Sequence, residues 1–127
     1  MSKKHKFLIS EPHKNILGMV FDNGAGEAAY TDTLKELVPN TTDAATEKHV
    51  PEVKVEGNKV TVTVGSVLHP MEEKHYIQWI YLQTKKGGQK KVLNPGDKPF
   101  AEFLLIDDEA VAVYEYCNLH GLWVKEL

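Results

Sequence analysis

The only cysteine of the chain is followed three residues later by a histidine, in the segment Cys117-Asn118-Leu119-His120. A thiolate and an imidazole at this spacing can bind one metal ion from a single turn. A lone thiol cannot form a disulfide within the chain, so Cys117 is a buried bystander, a reactive thiol or a metal ligand. By itself, the Cys-x-x-His pair leaves these alternatives open.

Three more histidines lie in the middle of the chain, in two short motifs. The first is Glu47-Lys48-His49-Val50-Pro51, and the second extends from Val67 to Tyr76 and contains His69 and His75. Together with the Cys-x-x-His segment, these motifs resemble the iron centre of superoxide reductase, the catalytic domain of the desulfoferrodoxin and neelaredoxin family. The resemblance extends from about Glu47 to Trp123, and its three motifs occur in the same order.

The resemblance implies a mononuclear iron site with five protein ligands. The four equatorial nitrogens and the axial sulfur would come from His49, His69, His75, His120 and Cys117. Five ligands exceed the four that structural zinc takes, and they leave a sixth position open for a small molecule. Imidazole suits iron, zinc and copper alike, so iron is implied by the resemblance and not by the ligand types.

The resemblance also implies the reaction, which is the one-electron reduction of superoxide to hydrogen peroxide. An outside donor, a rubredoxin-like protein, would restore the ferrous state. The axial thiolate would raise the electron density on the iron, as axial cysteine does in haem enzymes. Lys48 is predicted to attract superoxide and assist protonation, and Glu47 to be the carboxylate that replaces the product. The alternative is that both residues are ordinary solvated charges.

After residue 46 the sequence pattern is that of β-strands. Val60, Val62 and Val64 alternate with threonines, and the preceding Gly57-Asn58 is typical of a hairpin turn. Short strands separated by turns about every 8–12 residues predict an all-β sandwich. An immunoglobulin-like topology with seven strands is what the resemblance implies. The further strands are predicted over residues 76–84, 89–93, 100–106, 110–116 and 122–124.

Residues 1–38 are predicted to form a small β appendage. Strands are expected near Phe7–Ile9 and Ile16–Phe21, with a turn at Asp22-Asn23-Gly24, and residues 33–38 suit a strand or one helical turn.

Longer members of the family carry a small N-terminal domain here, in which four cysteines hold a second iron. This chain has no cysteine before Cys117, so the segment resembles a variant in which the small domain remains as a scaffold without metal. It is expected to help form a homodimer. Residues 39–46 are small, polar and non-periodic, which predicts a linker before the iron-binding domain of residues 47–127.

The composition excludes several other classes of protein. With 127 residues, of which 42% are hydrophobic, the chain can build one packed domain with a small appendage. A net charge of −3 argues against a general nucleic-acid binder. No apolar run approaches the roughly 20 residues needed to cross a bilayer. One unpaired cysteine and no signal-peptide core predict a cytoplasmic location.

Two other functions remain as alternatives. A blue-copper electron carrier also uses a C-terminal cysteine and a nearby histidine on a β-sandwich, but it needs a weak axial methionine, and none follows His120. A metal-free immunoglobulin-like binding module would leave Cys117 inert. Trp79 and Trp123 are expected to line the core or the metal pocket and not to relay electrons.

Overall fold

The computed structural model of this protein describes residues 5–10, 14–19 and 34–127. The chain divides into two compact units, Met1–Val38 and Pro39–Leu127. The described residues of the first unit form one small sheet, whereas the second unit contains two sheets and all the residues of the predicted metal site.

The N-terminal unit is an antiparallel sheet of three strands in the order β2-β1-β3. Phe7 and Leu8 of the central strand are buried. The two strands predicted near residues 7–9 and 16–21 are therefore confirmed in part, and residues 34–36 form a strand. The predicted turn at 22–24 lies outside the described residues. The three strands are β1 (Lys6–Ser10), β2 (Ile16–Met19) and β3 (Leu34–Glu36).

The second unit contains seven strands, as expected, in two antiparallel sheets. One sheet has the order β4-β5-β8 and the other β10-β9-β6-β7. The predicted all-β fold is confirmed. This assignment of strands to sheets is that of an immunoglobulin-like sandwich in which the fourth of the seven strands, β7, pairs with β6 in the opposite sheet. The strands are β4 (Pro51–Glu56), β5 (Lys59–Val64), β6 (Ile77–Thr84), β7 (Gly87–Val92), β8 (Phe100–Leu104), β9 (Ala110–Cys117) and β10 (Gly121–Glu126).

The alternating valines of β5 explain how the two sheets pack. Val60, Val62 and Val64 are fully buried, whereas the threonines between them are only partly covered, because successive side chains of a strand point to opposite faces. The valines pack in one core with residues of the facing sheet such as Ile80 and Leu82. The hairpin before them turns at Gly57, whose φ of 60° is a conformation that favours glycine.

The sequence pattern did not indicate one element of the second unit, a single-turn helix α1 (Thr46–His49). The segment before it, residues 39–46, contacts the last strand of the sandwich. The Asn40 side chain donates a hydrogen bond to the Val124 carbonyl (3.2 Å) and accepts one from the Val124 N–H (2.8 Å). The helix α1 follows this segment and ends at His49. Within the described ranges, the structure contains no helix that is both long and apolar enough to span a membrane.

Candidate metal centre

Five side chains that the sequence places in three distant segments meet at one end of the sandwich. Each offers one ligand atom, and these five atoms all lie within 4.8 Å of one another. The structure therefore brings together every residue that the sequence analysis predicted as a ligand. They are His49, His69, His75, Cys117 and His120.

Short elements at the ends of strands position these residues. His49 is the last residue of α1, and Cys117 is the last residue of β9. His120 ends the turn between β9 and β10, directly before Gly121, whose φ is 78°. His69 follows β5, and its N–H donates to the Val64 carbonyl (2.9 Å). His75 precedes β6 and pairs with Glu72 through two backbone hydrogen bonds of 2.9 and 3.0 Å.

The four imidazole rings form a closed circuit. Neighbouring rings in the order His49, His69, His75, His120 have centroids 4.6 to 5.0 Å apart and are nearly perpendicular, with interplanar angles of 76° to 84°. Four rings that meet edge to face around one point direct one nitrogen each toward the same centre. This is the arrangement that four equatorial nitrogen ligands require.

Hydrogen bonds fix which nitrogen of His49 and His69 carries the proton. His49 Nδ1 lies 2.7 Å from the Ala45 carbonyl oxygen, and His69 Nδ1 lies 2.7 Å from the Pro70 carbonyl oxygen. A carbonyl only accepts hydrogen bonds, so both Nδ1 atoms are donors and both neutral rings present a lone pair on Nε2. These outer hydrogen bonds are the kind that orient histidine ligands in metal sites.

The unprotonated Nε2 atoms of His49 and His69 face one another at a separation that suits a bound cation. The Nε2 atoms of His49 and His69 are 3.2 Å apart, and His49 Nε2 is 3.1 Å from His120 Nδ1. Two lone pairs at this distance repel each other unless a cation lies between them. Two nitrogens bound at right angles to one metal, at about 2.1 Å each, would be about 3.0 Å apart. The residues present therefore fit a metal ion.

His75 also fits a bound metal ion. Its Nε2 atom is buried and has no hydrogen-bond partner among the described residues, and such orphaned atoms are rare in proteins. A metal ion bound at this nitrogen would satisfy it. The atoms that would hold a metal ion are thus Nε2 of His49, His69 and His75 and Nδ1 of His120.

Cys117 completes the donor set. Its Sγ atom lies 3.5 Å from His69 Nε2 and 3.9 Å from His120 Nδ1, and the residue is fully buried. Burial raises the pKa of the Cys117 thiol, whereas hydrogen bonds from the backbone N–H groups of Leu119 and His120 lower it. In the metal-free chain burial prevails, so the bound cation is what would hold the sulfur as a thiolate.

Burial also keeps three of the imidazoles neutral. It lowers the pKa of His69 to about 4, and it lowers the pKa of His49 and of His75 below the usual value. The mutual repulsion of the histidines adds to this effect. Neutral imidazole is the form that binds metal. His49 and His69 are 2% and 3% exposed, whereas His75 and His120 are half-buried, so solvent reaches the centre from the side of His75 and His120.

Glu47 and Lys48 lie in α1 beside His49, and both are exposed. The charge of Lys48 lowers the pKa of His75, and the charge of Glu47 raises the pKa of His49. Both side chains therefore act electrostatically on the cluster, at the end of the sandwich where it opens to solvent. The catalytic roles assigned to them from the sequence stay predictions.

The segments that carry His49 and His69 are joined through the main chain. The Val67 N–H (3.0 Å) and the Ser66 hydroxyl (3.2 Å) both donate to the Glu47 carbonyl. A Cβ atom at Gly65 would lie only 2.7 Å from that carbonyl oxygen and 2.8 Å from the Val50 carbonyl oxygen. Glycine at position 65 is therefore required for this contact.

Three further residues lie at the cluster: Trp123, whose place at the pocket was expected, and Asn118 and Glu115, to which the sequence assigned no role of their own. Trp123, expected to line the core or the pocket, stacks on His49 at 4.9 Å and donates from Nε1 to the His120 carbonyl (3.1 Å). Asn118 was quoted only as part of the Cys-x-x-His segment, yet it hydrogen-bonds to both neighbours of His75. Glu115 lies two residues before Cys117 on β9, so the two share a face of the strand.

Glu115 is fully buried, and its carboxylate oxygens have no hydrogen-bond partner in the described part of the chain. Burial raises its pKa well above the usual range, and its charge would oppose ionisation of Cys117. Its place in the alternating pattern of β9 is the signal that could have identified it as an inward-facing residue.

A seven-stranded β-sandwich that brings four imidazoles and one thiol to one point has the side chains of a protein that binds one metal ion. The chain belongs to the desulfoferrodoxin family, whose sequence model matches residues 41–126. It is 46% identical to the desulfoferrodoxin of Nitratidesulfovibrio vulgaris, with 88% of each chain covered, and 35% identical to the superoxide reductase of Pyrococcus horikoshii, with 74% of this chain and 96% of that protein covered. The superoxide reductase from Treponema pallidum has a similar structure, with a TM-score of 0.78 and 40% identity over 98% of this chain and all of that one.

Proposed function

We propose that this protein is a superoxide reductase, which reduces superoxide to hydrogen peroxide at one iron ion held by four histidines and one cysteine. The observation that carries the proposal is the convergence of the five donor atoms within 4.8 Å, with lone pairs of buried imidazoles directed at one another. The family and the relatives named superoxide reductase support iron and superoxide over other metals and substrates.

An iron ion held by the four histidines and Cys117 would supply one electron to superoxide, and two protons would complete hydrogen peroxide. The other roles belong to residues around the cluster. Lys48 attracts the substrate anion because its positive charge lies where the cluster is accessible to solvent. The buried rings of His49 and His69 exclude water from the opposite side.

Cys117 tunes the centre through its sulfur. A thiolate ligand raises electron density on a metal, and hydrogen bonds to the sulfur limit that effect. Here the backbone N–H groups of Leu119 and His120 make these bonds. Glu47 is the carboxylate proposed to replace the product once it has left.

The electron donor is a rubredoxin-like protein and the protein acts in the cytoplasm as a homodimer, on the support of the family resemblance and the single cysteine. Residues 1–38 serve as a metal-free scaffold and 39–46 as a linker. Light scattering of the full chain tests whether it is a dimer. Oxidation of a reduced rubredoxin-like protein by superoxide, in the presence and absence of this protein, tests the electron donor.

The decisive experiment is metal analysis of the purified protein, followed by reaction of its reduced form with superoxide generated by pulse radiolysis. About one iron per chain and formation of hydrogen peroxide without oxygen are expected. Release of oxygen together with peroxide would indicate dismutation instead. Copper in place of iron would favour an electron carrier, although such sites use two histidines and not four.

A further inference from the structure

The four histidines of the cluster differ in how their rings are held. His49 and His69 each donate from Nδ1 to a backbone carbonyl at 2.7 Å. Within the described ranges, the rings of His75 and His120 have no comparable carbonyl anchor, and their centroids are 5.0 Å apart, the widest step of the circuit. These two rings need another support to keep their places before metal binds.

Asn118, in the turn between Cys117 and His120, contacts the backbone on both sides of His75. Its side-chain Oδ1 accepts from the Tyr76 N–H (2.9 Å), and its Nδ2 donates to the Lys74 carbonyl (3.0 Å). Its own backbone N–H donates to the Tyr76 carbonyl (3.2 Å). These three hydrogen bonds, here named the Asn118 bridge, connect the segment that carries His75 to the turn that carries Cys117 and His120.

We infer that Asn118 is a positioning residue that sets the place of His75 relative to Cys117 and His120, and thereby pre-forms the metal site. The inference rests on the proposed metal centre. It assigns to one amide the task that separate carbonyls perform for His49 and His69. An amide is required because one end must donate and the other must accept.

The energetic reason is pre-organisation. A metal that binds to a preformed set of ligands does not have to order them, whereas a mobile His75 loop must be ordered at the moment of binding. Loss of partners that orient ligands typically weakens metal affinity by about 10- to 100-fold. The Asn118 bridge acts on backbone atoms and not on a ligand ring, so its effect should appear chiefly as loss of the His75 ligand.

The test measures Co²⁺ binding to the full-length, metal-free protein by chelator competition and records the visible spectrum of the bound Co²⁺. Asn118→Ala removes both side-chain bonds, and Asn118→Asp keeps the acceptor for the Tyr76 N–H but faces the Lys74 carbonyl with an oxygen. The expected result is a Kd raised about 10- to 100-fold for Asn118→Ala. Its Co²⁺ spectrum should resemble that of His75→Ala.

Asn40→Gly is the matched control, because it also removes two side-chain hydrogen bonds to backbone atoms of one residue, Val124. Glycine suits the positive φ of 62° at this position. This variant should leave the Kd for Co²⁺ within about twofold of wild type. Equal weakening in Asn40→Gly and Asn118→Ala would overturn the inference, since it would reflect general destabilisation.

An unchanged Kd and spectrum in Asn118→Ala would equally overturn it. If Asn118→Ala does not fold, Asn118→Asp decides: weaker Co²⁺ binding supports the Asn118 bridge, and wild-type binding refutes it. A wild-type protein that binds no Co²⁺ would instead refute the metal centre itself, so the two failures are distinguishable.

Discussion

Lys48 gives the sharpest test of how the protein attracts its substrate. Replacing it with isoleucine removes one positive charge and keeps a side chain with similar apolar bulk. Its charge reaches the cluster, since it lowers the pKa of His75, but the residue is exposed. We therefore expect Lys48→Ile to slow the reaction with superoxide while the iron content stays constant.

The size of the effect follows from the exposure of the side chain. A unit charge about 4 Å from the substrate anion contributes about 1 kcal/mol in water, which corresponds to about a fivefold change in rate constant. At about 0.15 M salt, charges more than about 8 Å away are largely screened. The effect of Lys48 should therefore be larger at low ionic strength, where steering reaches about 10-fold or more.

The assay is the second-order rate constant for oxidation of the reduced protein by superoxide, followed by pulse radiolysis at several ionic strengths. Lys90→Ile is the control, because Lys90 is exposed on the edge strand β7. Each variant removes one positive charge from a chain of net charge −3, but only Lys48 adjoins the ligand His49.

Equal rate constants for Lys48→Ile and Lys90→Ile at every ionic strength would remove Lys48 from the mechanism. A rate constant for Lys48→Ile that matches wild type at low ionic strength but not at high would also contradict electrostatic steering. A loss of iron in Lys48→Ile would assign the residue to the metal site itself.

Three further predictions concern the sulfur, the histidines and the core. Oxidised, iron-loaded Cys117→Ala should lack the visible thiolate-to-iron absorption band, and survival of that band would refute sulfur ligation. The pKa of His69 is lowered from 6.5 to about 4, so between these pH values the unfolded chain binds more protons than the folded one. The urea midpoint of the metal-free protein should therefore fall as the pH drops from about 6.5 to about 4. A constant or rising midpoint would contradict the neutral, buried ring. Phe103→Ala should lower the free energy of unfolding by about 3–5 kcal/mol, since Phe103 is 2% exposed. Phe100→Ala, on the same strand but 37% exposed, should cost much less, and similar losses in urea unfolding would contradict the placement of the core.

Part of the sandwich was predictable because strands such as β5 and β8 alternate between buried and more exposed residues. The valines at 60, 62 and 64 and the Gly57-Asn58 turn specify one hairpin with its buried face. The five residues that converge at the cluster were predictable from three short motifs that resemble a known family. What these features share is a signal contained within a few consecutive residues.

The missed features depend on contacts between distant segments. One turn of helix at Thr46–His49 is too short to give a periodic pattern, and it is held by packing at the end of the sandwich. Nothing in the sequence next to Asn118 indicates that it joins Lys74 and Tyr76, more than 40 residues earlier.

The close approach at Gly65 has a consequence for engineering this protein. The contact between the segments that carry His49 and His69 depends on main-chain groups, on the Ser66 hydroxyl and on the lack of a Cβ atom at position 65. Redesign of the surrounding side chains that keeps Gly65 and Ser66 should therefore leave this contact unchanged. The methyl group of alanine at position 65 would push the main-chain segment that carries His49 away from the segment that carries His69, and would thereby increase the distance between the two imidazoles.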